Sequence, residues 1–287
     1  MSKPLDHHHL PIFYLSGWRG QDDKVVRYWR PNGRKVKPSP ITPKNTGFEP
    51  FLYSLDGYPE DQQQVLEEKF FGPIVDEPAS RALKVLMERD QSKLTEELRV
   101  AWTRFLMAAR ARSPEMVKKT QNEARRIMEE ALLRDPHEYD AVRRDGDAST
   151  LLEVAEQVCK TTLDNGGKLI LPDVVQHPVF AAAIMRMNWA TLDVSTARHE
   201  LLTSDQPLVT THGLDDQRCI IAFPLSPRFA FVATSDREME RRLLSLTVNA
   251  IARAINESVV CQAERYVYGR TDAHLAFVEK RLRKSLR

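Results

Sequence analysis

The stretch Cys219-Ile-Ile-Ala-Phe-Pro-Leu-Ser-Pro-Arg-Phe-Ala-Phe-Val-Ala-Thr-Ser-Asp-Arg-Glu238 decides the class of the fold. Cys219 to Pro224 and Phe229 to Thr234 are short apolar runs with a turn between them, the pattern of two adjacent strands. Ser235-Asp-Arg-Glu238 reads as a capping box. Behind it Met239, Leu243, Leu246, Ala250, Ile251, Ala254 and Val260 supply the apolar face of a long amphipathic helix. Two strands followed by a long helix predict an α+β chain.

The segments before and after fit the same class. Trp189 to Val194 and His199 to Thr203 are predicted as two further strands, and Val179 to Met187 as a helix with Pro178 in its first turn. From residue 59 to 165 the pattern is helical, with Leu66, Phe70, Leu83, Leu86, Leu98 and Phe105 on apolar faces and Pro73, Pro78, Pro114 and Pro136 dividing the run. Thr150-Leu-Leu-Glu153 opens one helix, which Asn165-Gly166 is predicted to end. Near the N-terminus, Lys24 to Arg30 and Arg34 to Lys37 flank Asn32-Gly33, the residue pair of a type I′ hairpin. Pro38, Pro40 and Pro43 are predicted to end that ladder. Residues 271–287 read as a basic helix. The expected organisation is a single α+β domain over 1–287, with a β-rich arm (1–55), a helical part (59–187), a β part (189–234) and C-terminal helices (236–287). Whether the two β regions share one sheet stays open.

The chain has 287 residues, 42% apolar and 29% charged, which is ordinary globular composition. A formal net charge of +2 points to neither nucleic acid nor membrane by itself. No apolar window of the length of a membrane span stands out, and the polar start lacks a secretory signal, so the expected location is cytoplasmic, with no membrane partner. Cys159, Cys219 and Cys261 are far apart and are expected as reduced, small apolar core residues.

Asp6-His-His-His-Leu-Pro-Ile-Phe-Tyr-Leu15 carries a resemblance. With Arg112-Ser-Pro114, Leu202-Thr-Ser-Asp-Gln-Pro207, Phe223-Pro-Leu-Ser-Pro227 and Asn249, it resembles a large, mainly bacterial family known as domain of unknown function 4238. His7, His8, Pro11, Tyr14 and Leu15 fit the family's His-His-x-x-Pro opening. Gln206 stands where the family usually has Asn. The resemblance spans residues 7 to about 249 and implies candidate residues but no reaction.

Those candidates are weighed against structural roles. In an extended arm His7 and His9 face one way and His8 the other. Imidazole serves as base or metal ligand, or it pins the arm to the core. Asp205 reads as a base, a ligand, or the acceptor of an Asx-turn ahead of Pro207. Arg112, at a helix end, reads either as an anion clamp or as a partner of the helix dipole. Asn249, in mid-helix, needs a bonding partner. Gly-rich phosphate loops, the His-Glu-x-x-His motif, paired Cys-x-x-Cys spacings and the Gly-x-Ser-x-Gly elbow are all absent. Glu67-Glu-Lys69 resembles a nuclease triplet, but it falls on a predicted helix rather than a strand. Lys24, Arg27, Arg30, Arg34, Lys35 and Lys37 around Tyr28 and Trp29 could contact a nucleic-acid strand, or form one solvated face, and the same two readings hold for the tail from Lys280 to Arg287.

Two functions follow as expectations. One is a hydrolase of phosphodiester type, with His7, His8 and Asp205 catalytic (or holding a divalent metal) and Arg112, Asn249 and Ser204 binding substrate. The other is a non-catalytic binding or regulatory module, in stress or phage-defence settings, in which the same motifs are structural locks.

Overall fold

The computed structural model describes residues 6–20, 22–134 and 136–283, without the side chain of Gln91. Its strands are β1 (Asp6–His8), β2 (Val25–Trp29), β3 (Lys37–Ile41), β4 (Phe48–Pro50), β5 (Asn188–Asp193), β6 (Thr203–Ser204), β7 (Val209–Thr210), β8 (Ile220–Pro224), β9 (Phe229–Thr234) and β10 (Val267–Gly269). The helices are α1 (Ile12–Leu15), α2 (Glu77–Glu88), α3 (Glu96–Ala111), α4 (Pro114–Leu133), α5 (Pro136–Asp140), α6 (Leu151–Val158), α7 (Lys160–Leu169), α8 (Leu171–Val175), α9 (Pro178–Arg186), α10 (Arg237–Ser245), α11 (Val248–Gln262) and α12 (Leu275–Arg281). The strands pair antiparallel in three sheets, β1-β4, β3-β2-β10-β6 and β5-β9-β8-β7. The chain is therefore α+β, as the sequence predicts.

The β5-β9-β8-β7 sheet explains why its strands are apolar throughout instead of alternating. Ile221, Phe223, Phe231 and Ala233 face one core, where Trp102 and Phe105 of α3 stack on each other and meet Phe223 edge-on. Ala222, Ala230 and Val232 face the other way, against Ile251, Ala252, Ile255 and Val259 of α11. A sheet buried on both faces has no polar face to write into its sequence.

The N-terminal arm closes the first core. Tyr14 is fully buried, and its hydroxyl lies 2.7 Å from Thr203 Oγ1 and donates to Pro224 O at 2.8 Å. The Trp18 indole donates to Leu201 O at 3.2 Å. The 203–204 segment pairs with β10, not with β5, β7, β8 or β9, so the two β regions of the sequence are stitched together through β6 and β10.

Several boundaries differ from the sequence reading. The hairpin forms, with Asn32 and Gly33 both at positive φ, but the returning strand is β3, so Pro38 and Pro40 lie inside it. Because β3 is an edge strand, their missing N–H groups cost no ladder bond. Residues 199–202 form no strand, and β6 starts at Thr203. The long closing helix is broken at Leu246, where Thr247 caps α11 by accepting from Ala250 N. The predicted C-terminal basic helix is shorter, Leu275–Arg281, and residues 284–287 lie outside the described residues. Of the cysteines only Cys219 is buried; Cys159 and Cys261 are exposed.

Asn165-Gly166 does not end a helix. Both lie within α7, where small residues let the backbone of α4 come close. A Cβ on Gly167 would sit 2.3 Å from Gln121 Cα. Gly167→Ala is expected to destabilise by about 1–3 kcal/mol, because a packed backbone has nowhere to retreat. A urea midpoint equal to that of the wild type would contradict this contact. Asn165 accepts from Asp56 N at 3.0 Å, and Lys168 Nζ donates to Ser54 O at 2.5 Å, tying α7 to the 54–56 segment.

The sequence reading finds no window apolar enough to span a membrane. The helical run Lys160–Arg186 contains one by length and composition, with mean hydropathy 1.2 and 22% of the window buried. The difference arises because α7, α8 and α9 follow one another with only Ile170 and Gln176-His177 between them, whereas the sequence reading counted their apolar residues as separate short pieces.

Candidate functional site

Ahead of α2, residues Leu66–Asp76 wind as a wide helix of i→i+5 type, with Pro73 inside. Such winding is rare over this length. It buries Leu66, Phe70, Phe71 and Val75 and ends on Asp76, whose carboxylate meets the Arg112 guanidinium at 2.8 Å. Arg112 follows α3 directly and is 1% exposed. Its guanidinium lies 5.4 Å from the Phe105 ring centre, and its Nε and Nη2 have no hydrogen-bond partner among the described residues. Burial raises the Asp76 carboxyl, with Arg112 opposing. Burial and then the Asp76 charge push Glu67 up to about 7.

The histidines separate by face, as the extended arm predicts. His7 is fully buried and stacked on Tyr53 at 5.3 Å. Its Nδ1 accepts from Tyr53 N at 2.8 Å, so Nε2 carries the proton and donates to Gln64 Oε1 at 2.5 Å. The Tyr53 hydroxyl in turn donates to Arg112 O at 2.9 Å, joining His7 to Arg112 through one ring. His8 is half-buried, with Nε2 3.3 Å from Lys44 O and a pKa lowered chiefly by burial. His9 is 4% exposed and its Nδ1 has no hydrogen-bond partner. Burial first, then the charges of Arg112 and Arg265, lower it to about 3, so its imidazole is neutral.

The Thr203-Ser204-Asp205-Gln206-Pro207 segment is equally engaged. The Asp205 carboxylate accepts from the backbone N–H groups of Glu264, Arg265 and Tyr266 at 2.9, 2.7 and 2.9 Å. Burial nonetheless pushes the carboxyl up to about 6, with those three donors opposing. Ser204 Oγ accepts from Gln206 N at 3.1 Å. Gln206, standing where the family usually has Asn, donates through Nε2 to Ser113 Oγ at 3.0 Å and so reaches the cap of α4.

A cleft of about 560 Å³ opens beside Asp205 and Gln206, whereas His7, His8, Arg112, Ser204 and Asn249 are not among its walls. His9, Ser113, Glu115, Asp205, Glu264 and Arg265 are among its walls. Glu115 and Glu264 hydrogen-bond carboxyl to carboxyl. Burial, then the hydrogen bond and charge of Glu115, raises Glu264 to about 7.

Of the residues singled out in the sequence, His7 and Arg112 are thus linked through Tyr53, while Ser204 and Asp205 are linked through Gln206 to Ser113, next to Arg112. His7, His8 and Asp205 bond to separate partners, and among the described residues no group of three or more His, Cys, Asp or Glu is arranged to hold a metal ion. Asn249 lies elsewhere, accepting through Oδ1 from Arg198 N at 2.7 Å. Sequence reasoning missed Asn256, seven positions on and so two turns along the same face. It is buried, accepts from Leu202 N at 2.7 Å and donates to Glu200 O at 2.9 Å. It also missed Glu115, Glu264 and His9 as cleft residues, since no local pattern marks residues that meet from distant segments. Part of the basic hairpin is used internally, while Lys24, Arg34, Lys35 and Lys37 are exposed. Tyr28 is buried, Arg30 pairs with Glu279 at 2.8 Å, and Arg27 lies over Trp29 and Tyr266.

Fold and site define an antiparallel α+β protein whose short polar motifs knit the walls of one cleft. Residues 6–273 match the family described as protein of unknown function, DUF4238, and the chain belongs to that family. No curated protein and no solved structure matches it.

Proposed function

We propose that this chain is a non-catalytic binding or regulatory module, folded as one unit over 1–287, in which the family motifs lock a ligand-receiving cleft. One observation carries the reading. Both ring nitrogens of His7 and both carboxylate oxygens of Asp205 are engaged by internal partners, three backbone N–H groups in the case of Asp205, so the two residues act as ties between distant chain segments. A core drawing residues from Leu10 to Tyr268 supports the single unit.

A second reading, a hydrolase of phosphodiester type, rests on the raised carboxyl of Glu264 beside Glu115 in the cleft. A carboxyl held near 7 is suited to general acid or base work. The discriminating experiment incubates wild type and Glu264→Gln with bis(4-nitrophenyl) phosphate between about pH 5 and 9, with and without Mg²⁺ or Mn²⁺. The binding reading expects no turnover that depends on Glu264. Turnover with a limb near the Glu264 value, lost in Glu264→Gln at an unchanged unfolding midpoint, would replace it with the hydrolase reading.

A further inference from the structure

On the other side of α11 from the sheet lies a second pocket, of about 500 Å³, which Asn249 is the one motif residue to line. It is floored by Asn249, Ala252, Arg253 and Asn256 of α11 and walled by Arg198-His199 and by His274, Phe277 and Arg281. Three arginines and two histidines line it, and no carboxylate does. Surface arginines usually find a carboxylate nearby. Here Arg198 and Arg253 are exposed and make no ion pair among the described residues. Arg281 is held from behind by Glu257 at 3.1 Å and lies over the Phe277 ring at 4.0 Å. Glu200, whose charge acts on His274, is bound to Arg270.

The polar floor points the same way. Asn249 spends Oδ1 on Arg198 N, which fixes the Arg198 loop and leaves its amide nitrogen as a donor. His274 is 7% exposed, faces the pocket and has neither ring nitrogen hydrogen-bonded among the described residues. Its only ring contact is His199, at 5.8 Å between centres. The His274 ring nitrogens are open to a hydrogen bond with an acceptor that enters the pocket. Two free guanidinium groups, an amide donor and two imidazoles facing one cavity match the oxygens of a phosphate. The volume exceeds what an inorganic ion needs, and Ala252, Ala273 and Phe277 offer an apolar wall for the rest of a ligand.

We infer that this pocket binds a phosphorylated small molecule, its phosphate held by Arg198, Arg253 and the Asn249 amide, with His274 donating. The site is separate from the motif-lined cleft and does not depend on what that cleft binds.

The experiment is calorimetric titration of the intact chain with inorganic phosphate, AMP and adenosine, repeated on the Arg198→Gln/Arg253→Gln double variant. Because both arginines are exposed and unpaired, the double variant is expected to unfold at the wild-type midpoint. AMP is expected to bind the wild type more tightly than phosphate does, adenosine not to bind, and the double variant to lose roughly tenfold or more in AMP affinity. Adenosine binding as well as AMP, AMP binding undiminished in the double variant, or neither phosphate nor AMP binding at millimolar concentration would each overturn the assignment. Binding confined to single-stranded oligonucleotide would overturn it in favour of a nucleic-acid surface.

Discussion

Arg112→Ala is expected to lower stability by about 3–5 kcal/mol, because it leaves the buried Asp76 carboxylate without its cation. The loss should grow with pH. The folded-state pKa of Asp76 lies above 3.8 even with Arg112 present, so the folded state holds its proton longer than the unfolded state does, and stability falls as pH rises through that interval. Without Arg112 the interval widens upward, and urea midpoints of the variant and wild type should diverge more at neutral pH than at mildly acidic pH. The Asp76→Asn change on the Arg112→Ala background should recover part of the loss, since two missing charges leave no unpaired one. Equal cost at both pH values, with no recovery in the double variant, would mean that Arg112 acts through packing on Phe71 and Phe105 alone.

Asp205→Ala is the second large effect. It strands three backbone N–H groups of residues 264–266 beside a buried wall, an expected cost of about 3 kcal/mol or more. Asp205→Asn should fall between, as one carboxamide oxygen can accept while its NH₂ opposes the remaining donor. The wild-type Asp205 is held at about 6, above its ordinary 3.8, so its contribution to stability is fully present below about 4 and is lost as pH rises through 6. Asp205→Asn should flatten that part of the stability profile. Amide exchange at Glu264, Arg265 and Tyr266 is the local check. Unchanged protection there in Asp205→Ala would remove Asp205 from the role of lock.

Much of this was legible beforehand. The strands near residues 190, 220 and 230, the α9 start at Pro178 and the cap at Thr150 are local patterns, and local chemistry fixes them; the box read from Ser235 is displaced by one residue, since Asp236 caps α10 by accepting from Met239 N. The hairpin turn was legible for the same reason; its strand was not, because whether a proline ends a ladder depends on whether the strand is at an edge. Asn165-Gly166-Gly167 looked like a helix stop because a single sequence cannot distinguish a glycine needed for φ from one needed for close approach. Motif residues stood out singly, but their roles depended on partners such as Tyr53, Gln64 and Asp76 that carry no motif of their own. Of the Arg198–Arg253 pocket only Asn249 is legible in the sequence, since the rest of its lining comes from three segments of ordinary composition.

The Tyr14 hydroxyl, bonded across 189 and 210 residues of chain to Thr203 and Pro224, has a consequence for how the protein is made. The arm leaves the ribosome well before these partners do, and β2 likewise waits for β10. Native contacts of such high order close slowly. During synthesis the Tyr14–Trp18 segment and the face of α3 that carries Trp102 and Phe105 remain uncovered, which makes the nascent chain, rather than the finished fold, the form in most need of a chaperone.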